Sequence, residues 1–309
     1  MNASFLTALF ASGMRQGVPL IYGSVGDCVS EKAGVVGICI EGEIIFGAFF
    51  SYLFALRSGN LWLGVLMGAI AGLISSLLVA AWSIYFKQDQ SIIGIMFNIF
   101  AAGFTNFLNR KIFGVSIASE KIETFKPIKI PGLSEIPVIG EVFFNQDILT
   151  YLSIVLAVIT LLVMKKTKLG LQMLAVGENP KAAQASGVQV QRYRLIAYMF
   201  CGFTAGLAGA SLTLSTVGSF TEVISAGRGF ICLAIVILAR WNPVVACIAG
   251  FGFGSIQALQ LRLQIMGSVV PHQFFIALPY LITLVVLIVA GHNIRAPKEL
   301  GVPFDKESR

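Results

Sequence analysis

Charged residues are scarce in this chain: they make up 12% of its 309 residues, against 56% hydrophobic. Soluble domains carry roughly twice that share of charge, so a water-facing globule is excluded. Histidine occurs only twice, and the five cysteines, at positions 28, 39, 201, 232 and 247, stand singly. That spacing excludes the common zinc patterns and a disulfide framework. The thiols are expected to be free and buried, acting as small apolar groups. His272 and His292 stand alone near the ends of helical runs and read as interfacial residues. No G-x-x-x-x-G-K-[ST] loop occurs, so any energy for uphill work must come from a partner or an ion gradient. No nucleophile, base or metal set of an embedded enzyme is present either. The first apolar segment lacks a basic leader and a small-residue cleavage site, which reads as a retained helix rather than a removed signal.

What is present is a succession of apolar runs of spanning length: Leu61 to Phe86, Ser91 to Asn109, Ile148 to Met164, Leu195 to Leu214, Pro243 to Leu261 and Phe274 to Ala290. Two further runs, Phe5 to Val25 and Val35 to Leu56, are interrupted by Arg15 and by Glu41 with Glu43. Phe230 to Ala239 is too short to cross alone unless it joins Ser219 to Gly229. Lipid supplies no partners for the backbone, so such runs must be helical. The expected architecture is all-α: one polytopic membrane domain over residues 1–309, with about eight to ten membrane segments of roughly 20 residues each.

The net charge of +7 is carried by basic residues in loops, which points to membrane orientation before nucleic acid. Residues 165–194, KKTKLGLQMLAVGENPKAAQASGVQVQRYR, are long, polar and basic, and are expected on the cytoplasmic side together with Arg295 and Lys298. Counting back, residues 110–147 fall outside the cell, and the first span starts from outside. The outer segment holds Pro127, Pro131 and Pro137 with Gly132 and Gly140, which suits irregular structure with one short helix and a surface for a soluble binding protein or a simple cover.

Within 165–194, Asn179 can cap a helix, Pro180 fits the first helical position, and Gly187 offers a left-handed stop. The spacing predicts a helix over 180–186. So short a helix cannot stand alone in water: it either docks a soluble partner or packs on its own bundle.

Inside the membrane runs, ionisable groups tend to face protein or water and to mark a pathway. Glu41 follows Gly34 and Gly37 at helical spacing, and these glycines with Gly42 and Gly47 predict a broken or bent helix, as in transporters with discontinuous helices. Glu41 therefore shapes the break or pairs with a neighbouring backbone end. Asn98, Ala102, Asn106 and Asn109 form one polar stripe, and Gln257, Gln260 and Gln264 another. Each stripe can line a hydrated path for a polar solute or tie helices together. Carboxylates are not lined up as in a proton relay. Gly64, Gly68 and Gly72, with Gly202, Gly206 and Gly209, permit close backbone approach, and plain packing is favoured over gating.

These residues resemble a known family. GENPKAAQASGV at Gly177 to Val188 is similar to the cytoplasmic coupling motif of permease subunits in the ribose, branched-chain amino acid and nucleoside group of bacterial ATP-binding-cassette importers. SEKAGVVGICIEG at Ser30 to Gly42 and RWNP at Arg240 to Pro243 look most like the shorter permease of nucleoside-type importers. The resemblance implies a type II importer-like bundle in the bacterial inner membrane, with a broken second helix and no cofactor in this chain. ATP would be bound by a separate cytoplasmic ATPase. It further implies that Gly177, Glu178, Asn179, Pro180, Lys181, Ala182, Ala183 and Gly187 meet that ATPase, and that a binding protein or lipoprotein delivers solute outside. A second, longer permease would complete a heterodimer, a homodimer being the alternative. Expected along the translocation path are Glu41, Asn98, Asn106, Gln257 and Gln260. Gly37 and Cys39 stand where family members commonly carry Asn and Gly, so sugars and riboflavin stay open beside nucleosides. The rival from another class is an ion-gradient carrier that works without an ATPase.

Overall fold

The computed structural model describes residues 3–114, 120–129, 131–132, 134, 136, 139–265, 272–290 and 295–304. Pro137 and His292 lie outside them, as does the side chain of His272. The described chain forms helices α1 (Ala3–Lys32), α2 (Ile40–Ser58), α3 (Leu61–Ala80), α4 (Gln90–Phe113), α5 (Ile139–Phe143), α6 (Ile148–Lys166), α7 (Lys168–Glu178), α8 (Pro180–Ala185), α9 (Val190–Ser211), α10 (Arg228–Leu238), α11 (Pro243–Ile265) and α12 (His272–Ala290). A two-residue antiparallel ladder, Ile128–Lys129 against Asn145–Gln146, is the one sheet among the described residues.

Local chemistry sets many of the boundaries. Asn60 caps α3 by accepting from the N–H groups of Trp62 and Leu63, and Asp89 does the same for Ser91 and Ile92 at the start of α4. Asp147 caps α6 through the N–H of Thr150. Such caps satisfy donors that have no partner inside the helix. Both α3 and α9 run on into a widened π turn, over Ala81–Tyr85 and Leu212–Val217.

Among the described residues, five helices are long and apolar enough to cross a membrane: Leu61–Tyr85, Gln90–Phe113, Ile148–Lys166, Val190–Val217 and Pro243–Gln264. The two interrupted runs are helical as well. α1 continues through Arg15 for 30 residues, about 45 Å at 1.5 Å per residue, and α2 starts only at Ile40. The break thus occupies residues 33–39. Gly34 and Gly37 belong to it rather than to the helical face that Glu41 occupies, while Gly42 and Gly47 sit inside unbroken helix. The stretch before α10 departs from the joined-segment expectation, because residues 219–227 are not helical. α10 is a half-helix of 11 residues, about 16 Å long against a hydrocarbon core of about 30 Å.

The bundle closes on glycine. α1 packs along α11, where a Cβ on Gly17 would fall 2.8 Å from the carbonyl oxygen of Gly250. α9 lies against α3 and α2 along the two predicted glycine ladders, which face each other: added Cβ atoms would come 2.4 Å from Gly68 O at Gly206 and 2.2 Å from Ile44 O at Gly209. Helices without a hydrophobic drive to associate gain by such approach. The main core joins Leu20, Tyr22, Ile40, Ile44, Phe49, Tyr52, Phe220 and Trp241. α4 carries an exposed apolar face with Met96, Ile99, Phe100 and Phe107.

The start of the next segment, residues 120–125, lies against one end of the bundle. The N–H groups of Ile122 and Phe125 donate to Gly218 O and Leu214 O, and Tyr52 Oη donates to Glu120 O. Among the described residues between 120 and 147, α5 is the one short helix.

Candidate coupling surface and translocation path

The polar stretch after α6 is built as two short helices at one end of the bundle. Thr167 caps α7, and Asn179, extended at φ −155°, ends α7 and starts α8. Its Oδ1 accepts from Ala182 N–H at 3.0 Å, with Pro180 in the first turn. At the other end Gly187 is left-handed at φ +86°; Val188 N–H reaches Ala183 O and Gly187 N–H reaches Gln184 O. This double closure is the Schellman motif, which needs a residue tolerant of positive φ at Gly187. The helix ends one residue before the predicted boundary.

The motif residues divide by face. Gly177, Pro180 and Ala183 are buried, and Glu178, Asn179, Lys181, Ala182 and Gly187 are exposed. Ala183 packs with Val176, Val190 and Phe304. The short helix therefore leans on its own protein with one face and leaves the other free. Gly177 lies so close to the end of α1 that a Cβ there would sit 2.1 Å from Lys32 O and 3.2 Å from Gly34 N.

The same turn gathers the other two motifs. Glu31, in SEKAG, accepts from Trp241 Nε1–H at 2.5 Å, and Trp241 belongs to RWNP. Arg240 and Trp241 both hold positive φ, at 50° and 57°, a conformation non-glycine residues keep only where surroundings enforce it. Three stretches far apart in sequence thus meet at residues 31–34.

Beyond the turn, the break is held by side chains. Asn98 Nδ2–H donates to Ile38 O and its Oδ1 accepts from Gly42 N–H, both at 2.8 Å. Gln90 Oε1 accepts from Val36 N–H at 2.9 Å. Asp27 Oδ1 approaches Gly37 so closely that any Cβ there would overlap it. Asp27 fills the volume a side chain at position 37 would need.

Glu41 closes the start of the half-helix. Its Oε1 accepts from Ser225 Oγ–H at 2.6 Å and Gly227 N–H at 2.9 Å, and its Oε2 from Gly229 N–H at 2.6 Å. A carboxylate in this position satisfies free backbone donors and lies at the positive end of the helix dipole. Arg228 beside it donates to Gln16 Oε1 at 3.1 Å and to Ile224 O at 3.1 Å.

The two amide stripes are not brought into one cluster. α4 packs mainly on α2, and α11 mainly on α1. Asn106 is half-buried, with its Oδ1 enclosed and without a hydrogen-bond partner; Gln257 is buried, its Oε1 likewise without one. Gln260 and Gln264 are half-buried. Sequence reasoning passed over Asp27, Ser225 and Arg228, and gave Glu31 and Arg194 no role beyond a motif position and a positive charge. Asp27, Glu31 and Glu43 are buried on α1 and α2, with Asp27 Oδ2 and Glu43 Oε2 unpartnered. The four-residue spacing of Asp27 and Glu31 in an otherwise apolar run was the available signal. Four of the five cysteines are buried, Cys247 is half-buried, and all are free thiols.

Compared with known proteins, residues 9–291 match the family described as branched-chain amino acid transport system / permease component. The chain is 36% identical over 317 residues to the guanosine ABC transporter permease protein NupQ of Bacillus subtilis, covering 98% of each. It is 34% identical over 312 residues to the nucleoside ABC transporter permease protein NupC of Lactococcus lactis, covering 97% of this chain and 98% of the relative. To the putative glucose ABC transporter permease protein TsgC13 of Haloferax volcanii it is 32% identical over 265 residues, 84% of this chain and 79% of that one. No solved structure matches the chain.

Proposed function

This chain belongs to the branched-chain amino acid transport system permease family, as a non-catalytic multi-pass subunit of the cell membrane, and from that premise we propose that it is the nucleoside-translocating half of an ATP-driven importer. The observation that carries this reading is the meeting of three motifs at residues 31–34: Gly177 against Lys32 O, and Glu31 bonded to Trp241. A push on α8 has a rigid, backbone-to-backbone route to the break before α2. In this reading the exposed face formed by Glu178, Asn179, Lys181, Ala182 and Gly187 is the surface on which a cytoplasmic ATPase acts, while Gly177, Pro180 and Ala183 pass the motion inward. Residues 165–194 then lie in the cytoplasm and residues 110–147 outside, where a binding protein delivers the solute.

Nucleosides come first because the two relatives matched over nearly their full length are named for guanosine and for nucleosides. Sugars follow, from the slightly lower identity and coverage of a putative glucose permease, and riboflavin after them. A second, longer permease completes the membrane unit, and α4's exposed apolar face with Met96, Phe100 and Phe107 is available for either that subunit or lipid. Glu41, Asn98, Asn106, Gln257 and Gln260 are kept as path candidates; Asn98 also holds the break, and Glu41 the start of α10.

The test is reconstitution of the permease unit with its ATPase in vesicles. Replacing Asn179 and Pro180 together by Gly removes the cap and the preset first turn of α8. Hydrolysis should persist while solute uptake falls, and unchanged coupling would count against the docking role. Competition among guanosine, a pentose and riboflavin identifies the cargo class. The buried carboxylates Asp27, Glu31 and Glu43 are the feature an ion-gradient carrier would need. Uptake driven by a proton or sodium gradient in vesicles lacking any ATPase would favour that reading instead.

A further inference from the structure

Residues 298–304 return to the coupling end of the bundle and are woven into it. Glu299 N–H donates to Gly177 O at 3.1 Å and Gly301 N–H donates to Gly34 O at 3.2 Å. One short stretch thus bonds both the last turn of α7 and the first glycine of the break. Arg194, at the start of α9 and only 2% exposed, donates from Nη1 to Val302 O at 2.7 Å. Phe304 is buried among Val176, Ala183 and Val190, with Val188 and Tyr193 at its edge. The stretch touches α7, α8, α9 and the break within seven residues.

We propose that residues 298–304 are a strap that ties the coupling helix α8 to the break before α2, with Arg194 as its positioning residue. The proposal rests on the reading of α8 as the surface an ATPase engages. Phe304 is seated under Ala183, so displacing α8 displaces Phe304; Gly301 is bonded to Gly34, so displacing the strap displaces the break. The direct route through Gly177 and Lys32 is a backbone contact that can only push. The strap's hydrogen bonds and buried aromatic also resist separation, so it can pull. Without it, closure of the ATPase would move the break inward but its reopening would not bring the break back.

Two further observations fit a joint that moves. Arg194 keeps Nε and Nη2 buried without hydrogen-bond partners, a costly state for a guanidinium that a shift of Glu299, its acidic neighbour on the strap, would relieve. Between the strap and the start of α8 lies a cleft of about 510 Å³, lined by Glu178, Asn179, Lys181, Lys298, Glu299 and Pro303 among others. An ATPase seated on α8 therefore meets the strap as well.

The experiment uses the assembled permease–ATPase complex in vesicles, with co-purification, ATP hydrolysis and solute uptake measured on the same preparation. Phe304→Ala should leave the ATPase bound and hydrolysing while solute moved per ATP falls by roughly fivefold or more, the lower end of couplings between linked sites. Phe304→Leu, which keeps the apolar plug, should restore most of it. Arg194→Gln should reproduce the Ala phenotype. An assembled Phe304→Ala complex with wild-type transport per ATP would overturn the strap. If Phe304→Ala does not assemble, spin labels at Lys181 and Lys298 in the wild-type complex decide: correlated movement through the ATP cycle supports the strap, and independent movement refutes it. Failure of the unmodified permease to bind any ATPase would instead sink the reading of α8, not the strap.

Discussion

Glu41 allows a quantitative test of how the half-helix is held. Its two carboxylate oxygens take three donors, two of them backbone N–H groups of Gly227 and Gly229 at the start of α10. In Glu41→Ala the buried N–H of Gly229 and the half-buried N–H of Gly227 lose their partner, at about 1–3 kcal/mol each with Gly227 toward the lower end, and the dipole loses its counter-charge at about 0.3–1 kcal/mol. The sum is about 2–7 kcal/mol. Glu41→Gln keeps an acceptor for Ser225 and Gly227 but turns an amide N–H₂ toward Gly229 N–H, donor against donor. One hydrogen bond to a charged group is lost, about 1.5–3 kcal/mol. The expected order is therefore wild type, then Gln, then Ala, with the Gln variant about 2 kcal/mol below wild type. Chemical unfolding of the purified protein in detergent, followed by circular dichroism, measures it. A double-mutant cycle with Ser225→Ala should show the pair coupled. Stabilities of both Glu41 variants within about 0.5 kcal/mol of wild type, the usual spread for uninvolved positions, would refute the capping argument and return Glu41 to the path alone.

Three other outcomes are expected. Gly206→Ala places a methyl 2.4 Å from Gly68 O and should lower stability by about 1–3 kcal/mol through overpacking, read by the same unfolding assay; Gly103→Ala, inside α4 with open space around it, is the control, which should be no less stable than wild type. Asn98→Leu strips two bonds from the break and should depress assembly and transport together, whereas Gln257→Leu should depress transport more than assembly if its enclosed, unpartnered oxygen faces the solute path; uptake normalised to the amount of assembled complex separates the two. Of the five thiols, Cys247 alone should react with a maleimide in the folded protein, with the remaining four appearing only on unfolding; early labelling of Cys28 or Cys232 would show that the α1–α10 core is not closed.

The chain's punctuation was legible where its chemistry is local. Asn179, Pro180 and Gly187 act within a few residues of themselves, and α8 starts where they say and stops within one residue of it. Glycine ladders at 64, 68, 72 and 202, 206, 209 announced close packing, and they pack against each other. What could not be read were partnerships across the chain. The donors of Gly227 and Gly229 lie far in sequence from Glu41, and no periodicity marks a carboxylate as the cap of a distant half-helix. Hydropathy also misplaced the end of α1, because Asp27 and Glu31 broke the apolar run while the helix continued with both carboxyls turned inward. Nor could sequence alone tell that residues 219–227 stay out of helix: Ala226 at φ +44° has no side-chain signature for that conformation. The strap was hard to see for a similar reason, since the bonds of Glu299 and Gly301 to Gly177 and Gly34 are made by backbone alone.

The glycine seam has one more implication. Where three helices touch backbone to backbone they cannot slide or roll past one another without collision, so α2, α3 and α9 behave as a single solid wedge. If the chain transports as proposed, a passage would open by hinging at the wedge's margins, around the loop between α1 and α2 and the half-helix α10, with the wedge itself carried whole between those two hinges.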